Sequence, residues 1–183
     1  MTFSEERVKG PTNEAETKKI FADAGLDWKN RKERYEGLKD TIFHQVDNGE
    51  WWIAYNEEDK PISSQGIGRF EGVYLLLGLQ SFAKQLEAGE GYGEGIARYV
   101  SDRHTDKPKI GSARSGGGKH IYKNKLKFKE LTIKDGFLQG NEDLPTEVKS
   151  ALEIASGKDR GGQMPIRKLY WMEAASWFYT LKR

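Results

Sequence analysis

A glycine-rich run is the part of this sequence best suited to holding an anion. Its glycines alternate with Glu90, Tyr92 and Glu94, and they are Gly89, Gly91, Gly93 and Gly95. An apolar stretch at 73–79 precedes the run and a helix-like segment at 96–103 follows it, which predicts a strand, a glycine loop and a helix start. Backbone N–H groups at a helix N-terminus are unpaired and carry the positive end of the helix dipole. The loop could therefore seat a phosphate or pyrophosphate, although glycine clusters also form ordinary loops.

Composition sets the class of protein. With 183 residues, 36% of them hydrophobic and 32% charged, the chain is expected to form one soluble domain over 1–183, ending in a loop and an aromatic strand pair at 156–183. No apolar run approaches the roughly 20 residues that span a bilayer, and the first residues do not resemble a signal peptide. We therefore expect a cytoplasmic protein that does not enter a membrane. The absence of cysteine excludes disulfides and thiolate chemistry, and three scattered histidines argue against a metal site.

The charge is unevenly distributed along the chain. Residues 107–129 contain eight cations and no acid, although the formal net charge is only +2. Such a run should attract anions. It is either a solvated face of the protein or a surface for the phosphates of a nucleotide-like cofactor or a nucleic acid.

The order of predicted elements describes what positions the glycine run. A first edge strand at 3–9 and two helices, at about 13–25 and 28–46, precede a hairpin at 51–69. A buried central strand at 70–79 leads into the glycine loop and its helix. A short strand at 109–113, a short helix at 119–125, a strand at 128–133 and a helix at about 145–155 follow. Two aromatic segments, 169–172 and 177–181, complete the pattern.

This order resembles the GNAT superfamily of acyl-coenzyme A-dependent N-acyltransferases, over most of the chain. Two motifs carry the resemblance. The glycine loop looks like the family's pyrophosphate loop, R/Q-x-x-G-x-G/A, and residues 121–131 look like the segment A-x-x-L-Y-x-K-x-G-F. Lys127 stands in place of the glycine before Phe128, and one extra residue separates Tyr122 from Phe128. Ala88 occupies the Arg/Gln position, and Glu87, Glu90 and Glu94 bring negative charge to the loop.

The resemblance implies a fold and a set of site residues. The fold is a three-layer α/β/α structure with a mixed, mostly antiparallel central sheet. The implied reaction is transfer of an acyl group, expected to be acetyl from acetyl-CoA, directly to a primary amine in a ternary complex. Tyr122 matches the tyrosine that protonates the leaving thiolate, and Glu71 is the best carboxylate for a general base, with His120 and His44 as further candidates. The residues implied to bind the cofactor are Leu77, Leu79, Ser81, Gly89, Gly91, Tyr92, Gly93, Glu94, Gly95 and Lys119, and Arg114 and Lys123 could also contact its phosphates.

Other interpretations remain open at this stage. Residues 110–128 also resemble a segment of phage Mom-type DNA modifiers, GNAT-related enzymes that act on adenine, and in that case the lysines at 107–129 would contact nucleic acid. A catalytically inactive GNAT-like interaction or inhibitor protein is the second alternative. Tyr122 and Glu71 would then be ordinary core and surface residues. The aromatic tail with Trp171, Trp177, Phe178 and Tyr179 could form core or a homodimer surface.

Overall fold

A computed structural model describes residues 2–34, 46, 49–112, 115–134, 137–139, 144–156 and 169–172. The helices are α1 (Glu14–Asp23), α2 (Arg31–Arg34), α3 (Tyr92–Arg103), α4 (Gly116–Lys119), a π-helix (His120–Lys125) that continues α4, and α5 (Thr146–Ser156). The strands are β1 (Val8–Thr12), β2 (Glu50–Tyr55), β3 (Pro61–Phe70), β4 (Val73–Ser81), β5 (Lys109–Ser112), β6 (Lys129–Lys134), β7 (Phe137–Gln139) and β8 (Leu169–Met172).

The strands form one sheet in the order β1-β2-β3-β4-β5-β8-β6-β7. The β4–β5 pair is parallel and the other pairs are antiparallel. A parallel pair needs a crossover connection, and α3 provides it between β4 and β5. The predicted mixed, mostly antiparallel sheet is therefore confirmed.

Helices cover both faces of this sheet, which confirms the three-layer arrangement. On one face, Phe21 of α1 and Leu152 of α5 pack against Trp51, Leu75 and Ile110 of the sheet. The other face carries a second buried cluster in which α3 and the π-helix pack on β3 and β4. Residues at even and odd positions of β4 contribute to different clusters because successive side chains of a strand point to opposite faces.

The boundaries of most elements follow from local signals. Asn13 caps α1, since its Oδ1 accepts from the Glu16 N–H at 2.8 Å, and Gly25 ends that helix with a φ of +74°. The first strand was predicted at 3–9, but a 3₁₀ turn (Glu5–Arg7) precedes β1 there. The predicted strand start was wrong because Phe3 packs against α3 instead of pairing in the sheet.

Several predicted elements lie outside the described residues. The second helix, predicted at 28–46, is described only as α2, and the aromatic segment at 177–181 is not described. The short strand β7 was not anticipated. Among the described residues, no helix has both the length and the apolar composition needed to cross a bilayer.

Candidate active site

The two central parallel strands separate part of the way along β4. Their ladder pairs Tyr74 with Lys109, Leu75 with Ile110 and Leu76 with Gly111, and β4 then continues to Ser81 without a further described partner in β5. A β-bulge lies just past the last pair. Between Gly66↔Leu77 and Ser64↔Gln80, β4 has one residue more than β3, and Gly78 there has a φ of +60°. A bulge bends the strand that contains it. We call the region beside residues 77–81 of β4, for which no described residue of β5 is a partner, the gap.

The glycine loop brings the N-terminus of α3 to the open end of this gap. Gly91 is the N-cap of α3, with a φ of +94° that suits glycine. The first backbone hydrogen bond of the helix runs from the Gly95 N–H to the Gly91 carbonyl, at 2.7 Å. The N–H groups of residues 91–94 therefore precede the helical ladder and point out of its end. A Cβ added to Gly93 would lie 3.6 Å from Cβ of Ser81, so the loop and the end of β4 are in contact.

The glycines of the loop have different roles in the structure. Gly93 is half-buried and faces Ser81 and Ile121. Gly95 faces the core instead, since a Cβ there would lie 2.2–2.6 Å from ring atoms of Phe3. Its N–H is also taken by the helix. The prediction that Gly95 binds a cofactor is therefore corrected: this glycine is required for packing.

Tyr92 and Gly89 complete the loop. The Tyr92 side chain is buried and packs edge-on against Phe3. The main-chain carbonyl of Tyr92 accepts a hydrogen bond from Ser63 Oγ at 3.1 Å. Only its main-chain N–H is directed toward the helix end, so the predicted cofactor contact is restricted to that group. Gly89 is half-buried in the connection before the N-cap.

The negative charge of the loop is partly compensated. Glu94 forms ion pairs with Arg98 at 3.1 Å and with Lys125 at 3.5 Å. These cations, Arg98 first through its hydrogen bond, hold the pKa of Glu94 below its usual value. Glu87 and Glu90 are exposed to solvent. Of the three acids, the one inside the helix end is thus neutralised by neighbouring cations.

The predicted main-chain groups of β4 are only partly directed at the gap. The Leu77 carbonyl oxygen lies 2.6 Å from the position of a Cβ on Gly66, so it faces β3. The Leu79 carbonyl accepts a hydrogen bond from Arg34 Nη1 at 3.0 Å. These two carbonyls are therefore engaged within the protein, and the contacts predicted for main-chain groups of Leu77 and Leu79 stay a prediction for their N–H groups. Gly78 lies in the bulge itself, and a Cβ on it would be 3.5 Å from Cδ of Arg34.

Tyr122 lies where the gap begins, beside the last β4–β5 pair. A Cβ on Gly111 would be 3.4–3.6 Å from atoms of the Tyr122 ring, and Gly111 belongs to the last β4–β5 pair. The Tyr122 side chain is buried, and its hydroxyl donates to Oε1 of Gln65 at 3.2 Å. Its phenolic group therefore sits beside the point where the strands separate.

The two departures in the tyrosine segment have a structural explanation. The extra residue between Tyr122 and Phe128 is accommodated by the π-helix, in which Leu126 N–H binds the Ile121 carbonyl at 2.8 Å, an i→i+5 bond. Lys127 adopts a φ of +61°, the left-handed conformation for which glycine is favoured. The chain thus keeps the turn with a residue less suited to it.

Glu71 is not brought to this site. It is exposed in the β3–β4 turn with a φ of +44°, before the start of β4. Glu71 and Gly72 belong to the turn, and the four strand steps from Val73 to Leu77 span roughly 13 Å at about 3.3 Å per residue. The expectation that Glu71 lies near the cleft is therefore corrected, because the β4–β5 ladder lies between Glu71 and Leu77. His120 is exposed and its Nδ1 accepts from Asn124 Nδ2 at 3.0 Å, while His44 lies outside the described residues.

The basic run does not form one continuous free surface. Lys109 is 1% exposed, Lys123 pairs with Glu130 at 2.9 Å, and Lys125 pairs with Glu94. Lys119 is half-buried at the end of α4, three residues before Tyr122, while Arg114 lies outside the described residues. In the part of the chain that is described, no cluster of side chains suited to a metal is present.

The sequence alone missed Gln65, Arg34 and the glycines at 78 and 111. Gln65 could have attracted attention as an amide within an otherwise small and apolar strand, β3. The two glycines stand in strands, where glycine often marks a bulge or a close approach. Nothing in the sequence around Arg34 singles it out.

The mixed sheet with helices on both faces, the parallel pair that opens beyond a bulge, and the glycine-capped helix at the open end together have the form of the GNAT fold. The chain is similar in structure to a GNAT-family acetyltransferase from Staphylococcus aureus, with 13% identity, coverage of 91% of this chain and 99% of that one, and a TM-score of 0.47. An acetyltransferase from Streptococcus agalactiae gives 15% identity, 91% and 96% coverage and a TM-score of 0.46. Tetrahymena GCN5 gives 13% identity, 86% and 83% coverage and a TM-score of 0.47.

The sequence matches no protein-family model and no curated protein with which it was compared. The gap, the bulge and the N-terminus of α3 are therefore the basis of the proposed function.

Proposed function

We propose that this chain is an acyl-CoA-dependent N-acyltransferase that transfers an acyl group, acetyl in the simplest case, to a primary amine in a ternary complex. One observation carries the proposal. The gap between β4 and β5 has the open N-terminus of α3 at one end and the Tyr122 hydroxyl at the other. This arrangement supports an anion-binding group and a proton donor along one strand, as a long phosphorylated thioester requires.

The N-terminus of α3 is the proposed seat for the diphosphate of coenzyme A. The N–H groups of residues 91–94 are free of the helical ladder, and Gly93 allows close approach beside Ser81. Glu94 is held by Arg98 and Lys125, so it does not present an uncompensated charge. Lys119 remains a proposed phosphate contact.

Tyr122 is the proposed general acid. When a neutral amine attacks the thioester carbonyl, a C–N bond forms and the C–S bond breaks; the nitrogen releases one proton to water, and the sulfur must take up another. The Tyr122 hydroxyl lies beside the last closed pair of the two strands and carries a proton to donate. Burial of the hydroxyl away from bulk water favours transfer to a bound thiolate rather than to solvent.

The test introduces a charge at the helix end. In Gly93→Asp, a carboxylate in the first turn of α3 interacts favourably with the helix dipole but repels a diphosphate. A Cβ at this position would lie 3.3 Å from Ile121 Cδ1, a tight contact that offsets the gain from the dipole. We therefore expect the unliganded protein to melt at about the same temperature as the natural chain, and acetyl-CoA binding to weaken by roughly tenfold or more. Calorimetric titration and thermal melting with acetyl-CoA measure both effects.

Gly116→Asp is the matched control. Gly116 also begins a helix, and nothing lies within 4 Å of a Cβ at that position. This variant should bind acetyl-CoA as the natural chain does. Undetectable binding of acetyl-CoA to the natural chain at millimolar concentration, or equal affinities for the natural chain and Gly93→Asp, would contradict the proposed site.

A further inference from the structure

Gln65 connects three groups at the point where β4 leaves β5. This side chain of β3 is fully buried. Its Nε2 donates to the Gly66 carbonyl at 2.8 Å and lies 3.5 Å from the Leu77 carbonyl, next to the bulge. Its Oε1 accepts from the Tyr122 hydroxyl. A buried amide is costly unless its polar atoms are paired, and here both ends have partners.

The hydrogen-bond chemistry determines which way the amide faces. A carbonyl oxygen can only accept, so the Nε2 end of Gln65 must face Gly66. Oε1 then faces Tyr122 and can only accept, so the phenol must be the donor. The orientation of the amide therefore directs the Tyr122 proton, and it is held in place by main-chain groups of the sheet.

The location of this pair makes the orientation relevant to the reaction. The Tyr122 ring covers Gly111, which is paired with Leu76 at the end of the ladder, and Gln65 contacts the main chain on the other side of the same bend. The side chain thus links the bulge of β4 to the hydroxyl beside the gap.

We propose that Gln65 is a positioning residue that holds the Tyr122 hydroxyl ready to protonate the leaving thiolate. The inference rests on the proposed transferase function. In the step, the Tyr122 O–H bond breaks and an S–H bond forms, and the phenolate is later reprotonated by water. Before the step, the Tyr122 hydroxyl donates its hydrogen bond to Gln65 Oε1. The switch from that acceptor to the sulfur needs only rotation of the hydroxyl, without movement of the ring.

A double-mutant cycle tests the proposal. Gln65→Met preserves the shape of the side chain but removes the acceptor, and Tyr122→Phe removes the donor. We expect Gln65→Met to lower kcat by roughly tenfold with little change in KM, and to have no further effect in the Tyr122→Phe background, since residues that act as a unit are not additive. The alkaline limb of the kcat profile should also shift in Gln65→Met alone.

Gln85→Met is the control, because Gln85 is exposed in the loop that follows β4. It should leave kcat and its pH profile unchanged. If Gln65→Met does not fold, Gln65→Asn replaces it, since it keeps the amide but shortens its reach by one methylene group.

The outcomes separate the two proposals. If Gln65→Met lowers kcat by the same fraction in the natural chain and in the Tyr122→Phe background, with an unshifted pH profile, the role of Gln65 is merely structural. That result would overturn this inference while leaving the transferase intact. Absence of any acyl transfer by the natural chain would overturn the proposed function itself. Loss of the Gln65→Met effect in the Tyr122→Phe background supports both.

Discussion

The two ends of β4 differ in the kind of group that they place beside β5. At the open end, beyond Leu76, the proposed site combines main-chain groups, at the Gly78 bulge and the N-terminus of α3, with one side-chain hydroxyl, that of Tyr122 held by Gln65. At the closed end, side chains that titrate are packed together. The Tyr74 hydroxyl donates to Asp106 at 2.9 Å, and Lys109 is buried beside it in the ladder.

The pKa values follow this division. Burial lowers the pKa of Lys109 to about 8, although Asp102 and Asp106 act in the opposite direction. Burial, and then the contact with Asp106, raises the pKa of Tyr74, while the hydrogen bond from Tyr74 lowers the pKa of Asp106. Perturbed pKa values often mark functional sites, but buried structural networks produce them as well. Here the pKa shifts of Lys109, Tyr74 and Asp106 lie at the closed end, where the strands are paired, whereas the pKa shift of Glu94 at the open end comes first from its hydrogen bond with Arg98.

Backbone geometry, rather than a cluster of titratable side chains, therefore distinguishes the proposed acyl-CoA site in this chain. The open end is built from glycines and a single bulge, which leave N–H groups and space for a ligand. At the closed end, Tyr74 and Asp106 are hydrogen-bonded to each other, and the Lys109 amine is buried in the ladder. Three predictions test this difference, beginning with the largest expected effect.

Two tyrosines allow the ends to be compared directly. Tyr122→Phe removes one hydroxyl at the open end and should lower kcat by about 10²- to 10⁴-fold, the usual contribution of a general acid, with acetyl-CoA affinity unchanged. Tyr74→Phe removes one hydroxyl at the closed end and should leave kcat within about twofold under the same comparison. Steady-state kinetics measure both. Glu71→Gln should, like Tyr74→Phe, leave kcat within about twofold. A large loss of kcat in either variant would mean that the closed end takes part in the reaction.

The buried amine of Lys109 should affect stability rather than activity. The folded-state pKa of about 8 lies below the ordinary 10.5, so the folded protein holds this proton less tightly than the unfolded chain. The resulting cost is fully present below pH 8 and disappears as the pH rises to about 10.5. Lys109→Met should therefore raise the free energy of unfolding by about 2–3 kcal/mol at pH 7, and the gain should vanish at high pH.

Chemical unfolding at pH 7 and at pH 10 measures this effect, with exposed Lys84→Met as the control. If Lys109→Met and the natural chain differ in free energy of unfolding by the same amount at both pH values, the charge of the Lys109 amine is not the cause of the difference. The transferase activity of Lys109→Met should equal that of the natural chain.

The smallest predicted effect concerns the turn after the π-helix. Lys127→Gly should raise the free energy of unfolding by about 0.5–1 kcal/mol, because glycine adopts the φ of +61° without the strain of a side chain. Lys119→Gly, at a φ of −59°, should lower it by a similar amount. Thermal melting of the two variants checks the signs. Destabilisation by Lys127→Gly would mean that the lysine side chain makes contacts that outweigh the strain.

Much of the fold could be predicted from local sequence patterns. The hairpin, the central strand, the glycine loop and α3 follow from apolar periodicity and from glycine and proline signals, which act between neighbouring residues. The N-terminus of α3 could likewise be proposed as an anion-binding site from the sequence, because the groups concerned belong to one continuous segment.

The remaining parts of the site depend on contacts between distant segments. Whether Gly95 faces a ligand or the Phe3 ring cannot be decided from the glycine run alone. Glu71 looked close to the cleft because it is near β4 in the sequence, but the ladder with β5 begins after it. The extra residue after Tyr122 was visible in the sequence, whereas its accommodation by a π-helix was not.

The order of strands and helices, the glycine-capped start of α3 and the tyrosine at 122 were thus determined by the sequence itself, since each depends on residues that are close in the chain. Only the tertiary structure decided that β4 has a bulge at Gly78, that Gln65 accepts a hydrogen bond from the Tyr122 hydroxyl, and that Lys109 is buried at the paired end. These depend on register between strands and on packing across the sheet, where residues 57 positions apart, such as Gln65 and Tyr122, come into contact.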